Sequence, residues 1–349
     1  MRKFNYTALK NMKWDSEMLG YVAIIHEMKG KQVLYLRQKP EALDRLVEIA
    51  KVQSTESSNE IEGIRTTNTR LKQLVSEKTA PKNRDEQEIA GYRDALAVIH
   101  ESFEYIPLTP SYLLQLHKIL YSHSVKDVGG KFKNVQNYIS STDAGGKQFT
   151  LFMPPAPHET PDMISELCVE FNRAIAECDV DPLILIPIFI HDFLCIHPFL
   201  DGNGRMSRLL TTLLLYRSGY MVGKYISLEA KIAKNKNLYY EALEQSQTGW
   251  HEGNDDHTPF VKYLLGTIIS AYRDFEERME IVGDKDCAMD IVTKAVATRI
   301  GKFKKADIVA LCPSISASSV ESSLKKLVRN GAIEKHGKGR ATFYTRKFS

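Results

Sequence analysis

The spacing of apolar residues predicts helices in two stretches of this chain. Apolar positions before residue 63 recur at the helical period, at Leu43, Leu46, Val47 and Ala50. Gly63 is the type of residue that ends such a helix, so Glu62 is expected at a helix C-terminus. A second apolar helical pattern begins at Met206 and continues to Tyr216. Both stretches are therefore predicted to form helices.

Two segments depart from the helical period. Residues 135–139 and 149–153 are rich in aromatic and β-branched side chains, and residues 140–146 between them supply turn chemistry. They predict a short β-hairpin, which either aligns an extended target segment by strand addition or is an ordinary surface hairpin. Residues 66–90 carry mixed charges and a proline, and a loop is predicted there.

The last part of the chain is strongly basic, whereas the part before it carries a net negative charge. From residue 291 onward there are 13 Lys or Arg against 3 acidic residues, a net charge of +10, whereas residues 1–290 carry 34 and 40, a net charge of −6. The pattern predicts a helix, a short helix at Lys305–Leu311, a helix at 316–330 and a hairpin at 332–346. This order resembles a winged helix-turn-helix domain over 290–349. Its charge favours DNA phosphates, while a dimerisation or target-docking surface remains the alternative.

Length and composition limit the number of domains, the role of the cysteines and the localisation of the protein. A chain of 349 residues is long enough for two or three domains. The cysteines form no CxxC pair, so neither a disulfide framework nor a zinc site is expected. The sequence shows no apolar run long enough to span a bilayer, and its first residues lack the apolar stretch of a signal peptide. We therefore expect a cytoplasmic protein without membrane contact.

Residues 197–208 carry the densest set of reactive groups, in the order His-Pro-Phe-Leu-Asp-Gly-Asn-Gly-Arg-Met-Ser-Arg. The unperturbed pKa of His197 lies near neutrality, so this side chain can accept a proton from a hydroxyl. Gly202, Asn203 and Gly204 allow successive N–H groups to face one concavity, just before the start of a helix. An anion is favoured at that place, and phosphate is the expected ligand.

Two arginines and one carboxylate complete this segment. Arg205 and Arg208 are three residues apart and share one face of the helix, where two guanidinium groups can hold adjacent phosphates. Asp201 offers the hard oxygen ligand that Mg²⁺ needs between such phosphates. The set suits transfer of a nucleotide or phosphoryl group to a hydroxyl.

The segment resembles the signature of the Fic family, His-Pro-Phe-x-Asp/Glu-Gly-Asn-Gly-Arg-x-x-Arg, and every defined position is matched. The flanking residues are similar too: a helix over 183–196 with His191 and Phe193, the stretch 136–139, and Met153-Pro154-Pro155. The resemblance covers roughly residues 40–275. It implies a mainly α fold, with an all-helical catalytic core at 111–275 that carries a hairpin flap and an N-terminal region with an inhibitory helix at 1–110. It also implies transfer of AMP from ATP to a Ser, Thr or Tyr hydroxyl of a target protein or of the enzyme itself.

The resemblance also implies roles for single residues and the use of ATP and Mg²⁺. These roles are general base for His197, metal ligand for Asp201, anion hole for Gly202, Asn203 and Gly204, triphosphate clamps for Arg205 and Arg208, and adenosine contacts for Tyr239 and Tyr240.

A second motif lies upstream, at Ser58-x-x-x-Glu62-Gly63. It is similar to the inhibitory motif of the Fic class whose inhibitory helix precedes the core, which implies that Glu62 pairs with Arg208 and keeps the γ-phosphate from its productive pose. The helix macrodipole opposes a carboxylate at a helix C-terminus, so a cationic partner is expected on physical grounds as well.

Two other functions remain open at this stage. One is a transcriptional regulator that senses a nucleotide in the same pocket and binds DNA through residues 290–349, with a homodimer as a further use of that region. The other is an enzyme that removes AMP from its target, with Glu62 orienting water.

Overall fold

A computed structural model describes residues 2–38, 40–142, 148–177, 180–281, 287–312 and 315–347. Within these ranges the chain forms fourteen α-helices and four short strands, so the fold is mainly α and this prediction is confirmed. The helices are α1 Ser16–Gln38, α2 Pro40–Ile61, α3 Asn68–Val75, α4 Arg84–Ser102, α5 Pro110–Leu120, α6 Thr160–Glu177, α7 Pro182–Ile196, α8 Asn203–Arg217, α9 Leu228–Lys234, α10 Lys236–Gln247, α11 Thr258–Ile281, α12 Ala288–Ala297, α13 Lys305–Leu311 and α14 Ala317–Arg329. The strands are β1 Ile139–Thr142, β2 Gln148–Phe152, β3 Ile333–His336 and β4 Phe343–Arg346. Strand β1 pairs with β2, and β3 pairs with β4, in two separate antiparallel sheets.

Helix α7 lies at the centre of the main hydrophobic core. Its residues 183–196 are all buried, and it packs against α6, α8, α10 and α11. It begins where the carboxylate of Asp181 accepts the Leu183 N–H at 2.8 Å, with Pro182 in the first turn. A helix that is apolar on all sides is stable only when it is enclosed. Because α7 is enclosed, the residue after it, His197, has a fixed position.

The predicted loop at 66–90 is wrong. This segment contains α3 and the start of α4, each with a side-chain cap at its first turn, from Thr67 and Asn83. Leu71 and Leu74 of α3 form a small buried cluster with Ile89 of α4. The apolar positions of α3 cover only two turns, which is too short a pattern to stand out from the charges around it.

The hairpin exists, but its first strand starts later than predicted. Strand β1 begins at Ile139, where the sequence predicts the end of that strand, and β2 covers residues 148–152 instead of 149–153. Residues 133 and 137, on either side of the predicted strand start, direct their polar side chains to the turn after α7. Of the predicted turn, residues 143–146 lie outside the described ranges.

Residues 281–344 contain a separate cluster of buried apolar side chains. Helix α13 has the predicted bounds, and α14 follows Ser316, whose hydroxyl accepts the Ser319 N–H. Strands β3 and β4 then form a hairpin with Gly337 in a positive-φ conformation between them. The assignment of this region as a winged helix and the three domain boundaries stay predictions. None of the helices in the described ranges has the length and apolar character required to cross a membrane.

Candidate active site

His197 is the residue at which α7 ends, and its backbone is left-handed with φ of 50°. Its N–H donates to the Phe193 carbonyl at 3.0 Å, and its Nδ1 lies 3.2 Å from the Leu194 carbonyl oxygen. A carbonyl only accepts hydrogen bonds, so Nδ1 carries the proton and Nε2 keeps a free lone pair. This tautomer is the one that a general base requires.

Burial lowers the pKa of the His197 imidazole to about 4. The Leu194 carbonyl and the Glu62 carboxylate act in the opposite direction, while the Lys133 ammonium lowers the pKa further. A lowered pKa means that the ring stays neutral, and so able to accept a proton, well below the ordinary value near 6.5.

We expect NMR titration of histidine-labelled protein to show a His197 signal that does not change between about pH 5.5 and pH 8, whereas an exposed histidine titrates in this range. The His197→Ala variant assigns the signal. A midpoint near 6.5 for that signal would contradict the expectation.

The turn after His197 is closed by its own side chains and by its neighbours. Asn203 accepts the Phe199 N–H at 2.9 Å and donates to the Phe199 carbonyl at 2.7 Å. Gly202 has φ of 85°, and a Cβ there would lie 3.0 Å from the Tyr121 ring. Helix α8 therefore begins at Asn203, three residues before the predicted start. The Asn203 side chain is occupied within the turn. The groups that can bind an anion at this helix N-terminus are therefore the backbone N–H groups of residues 203–205, which have no partner within the helix.

His117 supports the same turn from α5. Its Nε2 donates to the Asp201 carbonyl at 3.0 Å, and its Nδ1 accepts the Gly130 N–H at 3.1 Å. Its ring stacks on Phe199 with 3.8 Å between centroids. Burial lowers the pKa of His117 to about 4, so this imidazole is a neutral structural support.

Glu62 follows α2 and reaches the first turn of α8. Gly63 ends α2 with φ of 80°, and the Ile64 N–H donates to the Asn59 carbonyl at 3.0 Å, the bond that defines a Schellman motif. The Glu62 carboxylate accepts a hydrogen bond from Arg208 NH2 at 2.7 Å. A Cβ built on Gly204 would overlap Glu62 Oε1. The carboxylate thus lies beside the helix N-terminus, where a phosphate is expected.

Arg208 is held from several directions by residues near the end of α2. The guanidinium is buried, and it donates to the Ser58 hydroxyl at 2.8 Å and to the Ser58 carbonyl at 2.9 Å. Burial opposes the ionisation of Glu62, but the charge and hydrogen bond of Arg208 outweigh it and lower the pKa of the carboxyl. Lys236 of α10 donates to the Ile61 carbonyl, so a second cation stabilises the C-terminus of α2.

Arg205 is enclosed in the protein, with only 1% of its side chain exposed. Its guanidinium pairs with the Glu88 carboxylate at 2.8 Å and donates to the Tyr121 hydroxyl at 2.8 Å. It also lies 3.6 Å from Asp201 Oδ1. The described contacts make Arg205 a brace for the turn, and its role as a triphosphate clamp stays a prediction.

Asp201 has the properties of a cation ligand. Its side chain is 39% exposed, and one carboxylate oxygen accepts a hydrogen bond from the Lys126 ammonium at 2.9 Å. Burial raises the pKa of this carboxyl, but Lys126 and Arg205 outweigh that effect and lower it, so the group is ionised at neutral pH. Mg²⁺ commonly takes one or two carboxylates together with phosphate oxygens and water. A partly exposed carboxylate that attracts a cation, just before the N-terminus of α8, fits this requirement.

The two predicted adenosine contacts lie in different surroundings. Tyr239 is buried, and its hydroxyl interacts with Ser207 and Arg208. Tyr240 is 44% exposed, and the Lys236 ammonium lies 5.6 Å from its ring centroid. Tyr239 therefore contacts the arginine of the site directly, while adenosine binding by either residue stays a prediction.

Sequence reasoning missed several residues that shape this site. Lys133 and Asn137 contact the turn 196–199, and Glu88 and Lys126 pair with Arg205 and Asp201. Lys133 is buried, and the loss of solvent lowers the pKa of its ammonium to about 8. Lysines and glutamates are common, so nothing in the sequence distinguishes Lys133, Glu88 and Lys126 before the fold is known. Asn137 lies in the stretch 136–139 that carries part of the family resemblance, but the sequence predicts no role for it.

A further group of possible metal ligands, His191, Asp255 and His257, lies away from the turn. Arg2 forms an ion pair with Asp255 and another, at 3.2 Å, with Asp192. A guanidinium at this position opposes a second cation, so the group is better described as a buried ion-pair network.

Fold and site together define a mainly helical protein with a neutral histidine just before the N-terminus of α8. Comparison with known proteins finds similarity to one family over part of the chain. Residues 107–215 match the model of the Fic/DOC family. Two relatives are each named protein adenylyltransferase Fic. The one from Nematostella vectensis is 25% identical over 262 residues, 72% of this chain, and the one from Drosophila yakuba is 29% identical over 187 residues, 52% of this chain. Residues 107–215 are thus similar to the Fic/DOC family, and the chain shows homology to proteins named protein adenylyltransferase Fic.

Solved structures agree with this assignment at the level of the fold. The crystal structure of a Fic family protein from Desulfovibrio desulfuricans G20 has a TM-score of 0.61 and 21% identity, and covers 97% of this chain and 98% of its own. A Fic domain containing signalling protein from Bacteroides thetaiotaomicron has a TM-score of 0.63 and 24% identity, and covers 76% of this chain and 99% of its own. The chain spans 53% and 32% of the length of the two curated relatives, so their whole activities do not transfer directly.

Proposed function

We propose that this protein transfers AMP from ATP to a Ser, Thr or Tyr hydroxyl of a target protein, or of itself, and that Glu62 inhibits the reaction. The observation that carries the proposal is the His197 tautomer, with Nδ1–H held by Leu194 and Nε2 free, at the turn that leads into α8. A nucleotide sensor needs the phosphate-binding turn but has no use for a base in this state.

The chemistry assigned to His197 is proton acceptance. The target hydroxyl oxygen forms a bond to the α-phosphorus, the bond to the pyrophosphate leaving group breaks, and Nε2 takes the hydroxyl proton. The backbone N–H groups at the start of α8 and the Arg208 guanidinium stabilise the negative charge of the phosphates. Asp201 would hold Mg²⁺, which neutralises phosphate charge when bound.

In the inhibited state Glu62 competes for the same groups. Its carboxylate pairs with Arg208 and lies beside Gly204, so the γ-phosphate has neither its cationic partner nor its space. ATP is then bound in a pose that does not align the α-phosphorus with an incoming hydroxyl.

The proposal is tested with two labels. The Glu62→Gly variant is incubated with Mg²⁺ and with ATP labelled either on the α- or on the γ-phosphate, and protein-bound label is measured. We expect label from α-ATP alone, because AMP is retained and pyrophosphate leaves. Label from γ-ATP would indicate phosphoryl transfer instead, and no label on any protein of a cell lysate would contradict both.

Two observations favour other candidates. Lys304, Lys305, Lys325 and Lys335 line one groove between α13, α14 and the β3–β4 hairpin, where Glu321 pairs with Lys305 and Lys325. The remaining excess of positive charge fits a DNA-binding regulator. Retention on DNA without any labelling, even after Glu62 is replaced, would support that function. The position of Glu62 near the turn fits orientation of a water molecule, and release of AMP from labelled protein by the unmodified chain but not by Glu62→Gly would support AMP removal.

A further inference from the structure

One pentapeptide contacts all four carbonyl groups of the turn that contains His197. The Lys133 ammonium donates to the Ile196 carbonyl at 3.0 Å, and the Lys133 backbone N–H donates to the Pro198 carbonyl at 2.8 Å. The Asn137 amide donates to the His197 carbonyl at 3.1 Å and to the Phe199 carbonyl at 3.0 Å. The same ammonium donates to Asn137 Oδ1 at 3.0 Å, so the two side chains form one unit.

Lys133 and Asn137 contact a part of the backbone whose conformation is unfavourable without external hydrogen bonds. The left-handed conformation of His197 is unfavourable for a residue with a side chain, and it persists only where the surroundings fix it. The last carbonyls of α7 have no partner within the helix. Only 3% of Lys133 is exposed, and a buried ammonium is costly unless its hydrogen bonds are satisfied. Its bonds to Ile196 and Asn137 meet that condition.

We propose that Lys133 and Asn137 are positioning residues for the catalytic base, holding the backbone of residues 196–199 so that the His197 ring faces the N-terminus of α8. The inference rests on the proposed function. It also connects the base to the hairpin, because residues 133–137 run into β1 and the Gln136 amide donates to the Pro154 carbonyl just after β2, at 2.8 Å.

The experiment compares variants in the Glu62→Gly background, where the reaction is not inhibited. Lys133→Met and Asn137→Ala are expected to lower kcat by about 10- to 100-fold, since small displacements of a catalytic group have effects of this size, with the KM for ATP changed by less than about threefold. Lys133→Arg keeps a cation that can donate to both partners and is expected to restore most of kcat. Lys131→Met is the matched control, because its exposed ammonium pairs with Asp127.

The pH profile separates positioning from a merely structural role. The charged groups that act on the His197 imidazole are Lys133 and Glu62, and only Lys133 remains in the Glu62→Gly background. Loss of a neighbouring cation makes protonation of His197 easier, so Lys133→Met is expected to move the acid limb of kcat to higher pH. Lys133→Arg keeps the limb in place.

Three results would overturn the inference while leaving the proposed function intact. They are an unchanged kcat in Lys133→Met, an unchanged kcat in Asn137→Ala, and a loss of kcat in Lys133→Arg equal to that in Lys133→Met while the acid limb of Lys133→Met has not moved. If Lys133→Met does not fold, as judged by thermal unfolding, Asn137→Ala alone decides. Absence of AMP transfer in the Glu62→Gly parent rejects the proposed function itself, so the two failures are distinguishable.

Discussion

Replacement of Glu62 by glycine is expected to raise the rate of AMP transfer by about 10- to 100-fold, the range that corresponds to one charge-assisted hydrogen bond. The change removes the carboxylate that accepts from Arg208 and fills the space beside Gly204. Arg208 and the first N–H groups of α8 then become available to the phosphates of ATP. The rate of incorporation of α-labelled AMP into the protein itself measures the effect.

Glu60→Gly is the control for this prediction. Glu60 lies two residues earlier, pairs with Arg65 at 3.0 Å and has no described contact with Arg208. Both variants lose one negative charge and gain one flexible residue near the end of α2. Equal activation by the two would show that loosening of the helix end, and not release of Arg208, controls the rate.

His197→Ala in the Glu62→Gly background is expected to lower the rate by about 10²- to 10⁴-fold, the usual contribution of a general base. The variant removes the free Nε2 and leaves the phosphate-binding groups unchanged, so the affinity for ATP, measured by calorimetry, is expected to stay within about threefold. His123→Ala is the matched control, because that imidazole pairs with Asp94 at 2.7 Å. Retention of more than a tenth of the parent rate by His197→Ala would reject the base assignment.

Structural features that depend on residues adjacent in sequence could be predicted from the sequence. The helical period before Gly63 predicts α2 and its end, and the glycines after Asp201 predict the turn before α8. Predictions from local sequence patterns were wrong where contacts between distant residues determine the secondary structure. Strand β1 starts at Ile139 because the preceding residues bind the turn after α7, and α3 forms because Leu71 and Leu74 meet Ile89.

In the candidate site, too, the residues of local motifs could be predicted, whereas those that reach the site from distant parts of the chain could not. Residues 197–208 are adjacent in sequence, and the partnership of Glu62 with Arg208 is implied by resemblance to a family. The residues that fix their geometry lie far away along the chain, since Glu88 reaches Arg205 from α4 and Lys133 reaches Ile196 across 63 positions. Pairings of this kind follow from packing, so no periodicity or composition shows them.

The absence of a side chain at Gly204 has a consequence for how such a protein can change over time. A methyl group there would overlap Glu62 Oε1, the far end of a flexible side chain, and would come close to the Arg208 guanidinium. Exchange of Gly204 for alanine would therefore force the Glu62 carboxylate to move, whereas exchange of Glu62 leaves the start of α8 as it is. The end of α2 is thus the place where the pairing of Glu62 with Arg208 can change without altering the first turn of α8.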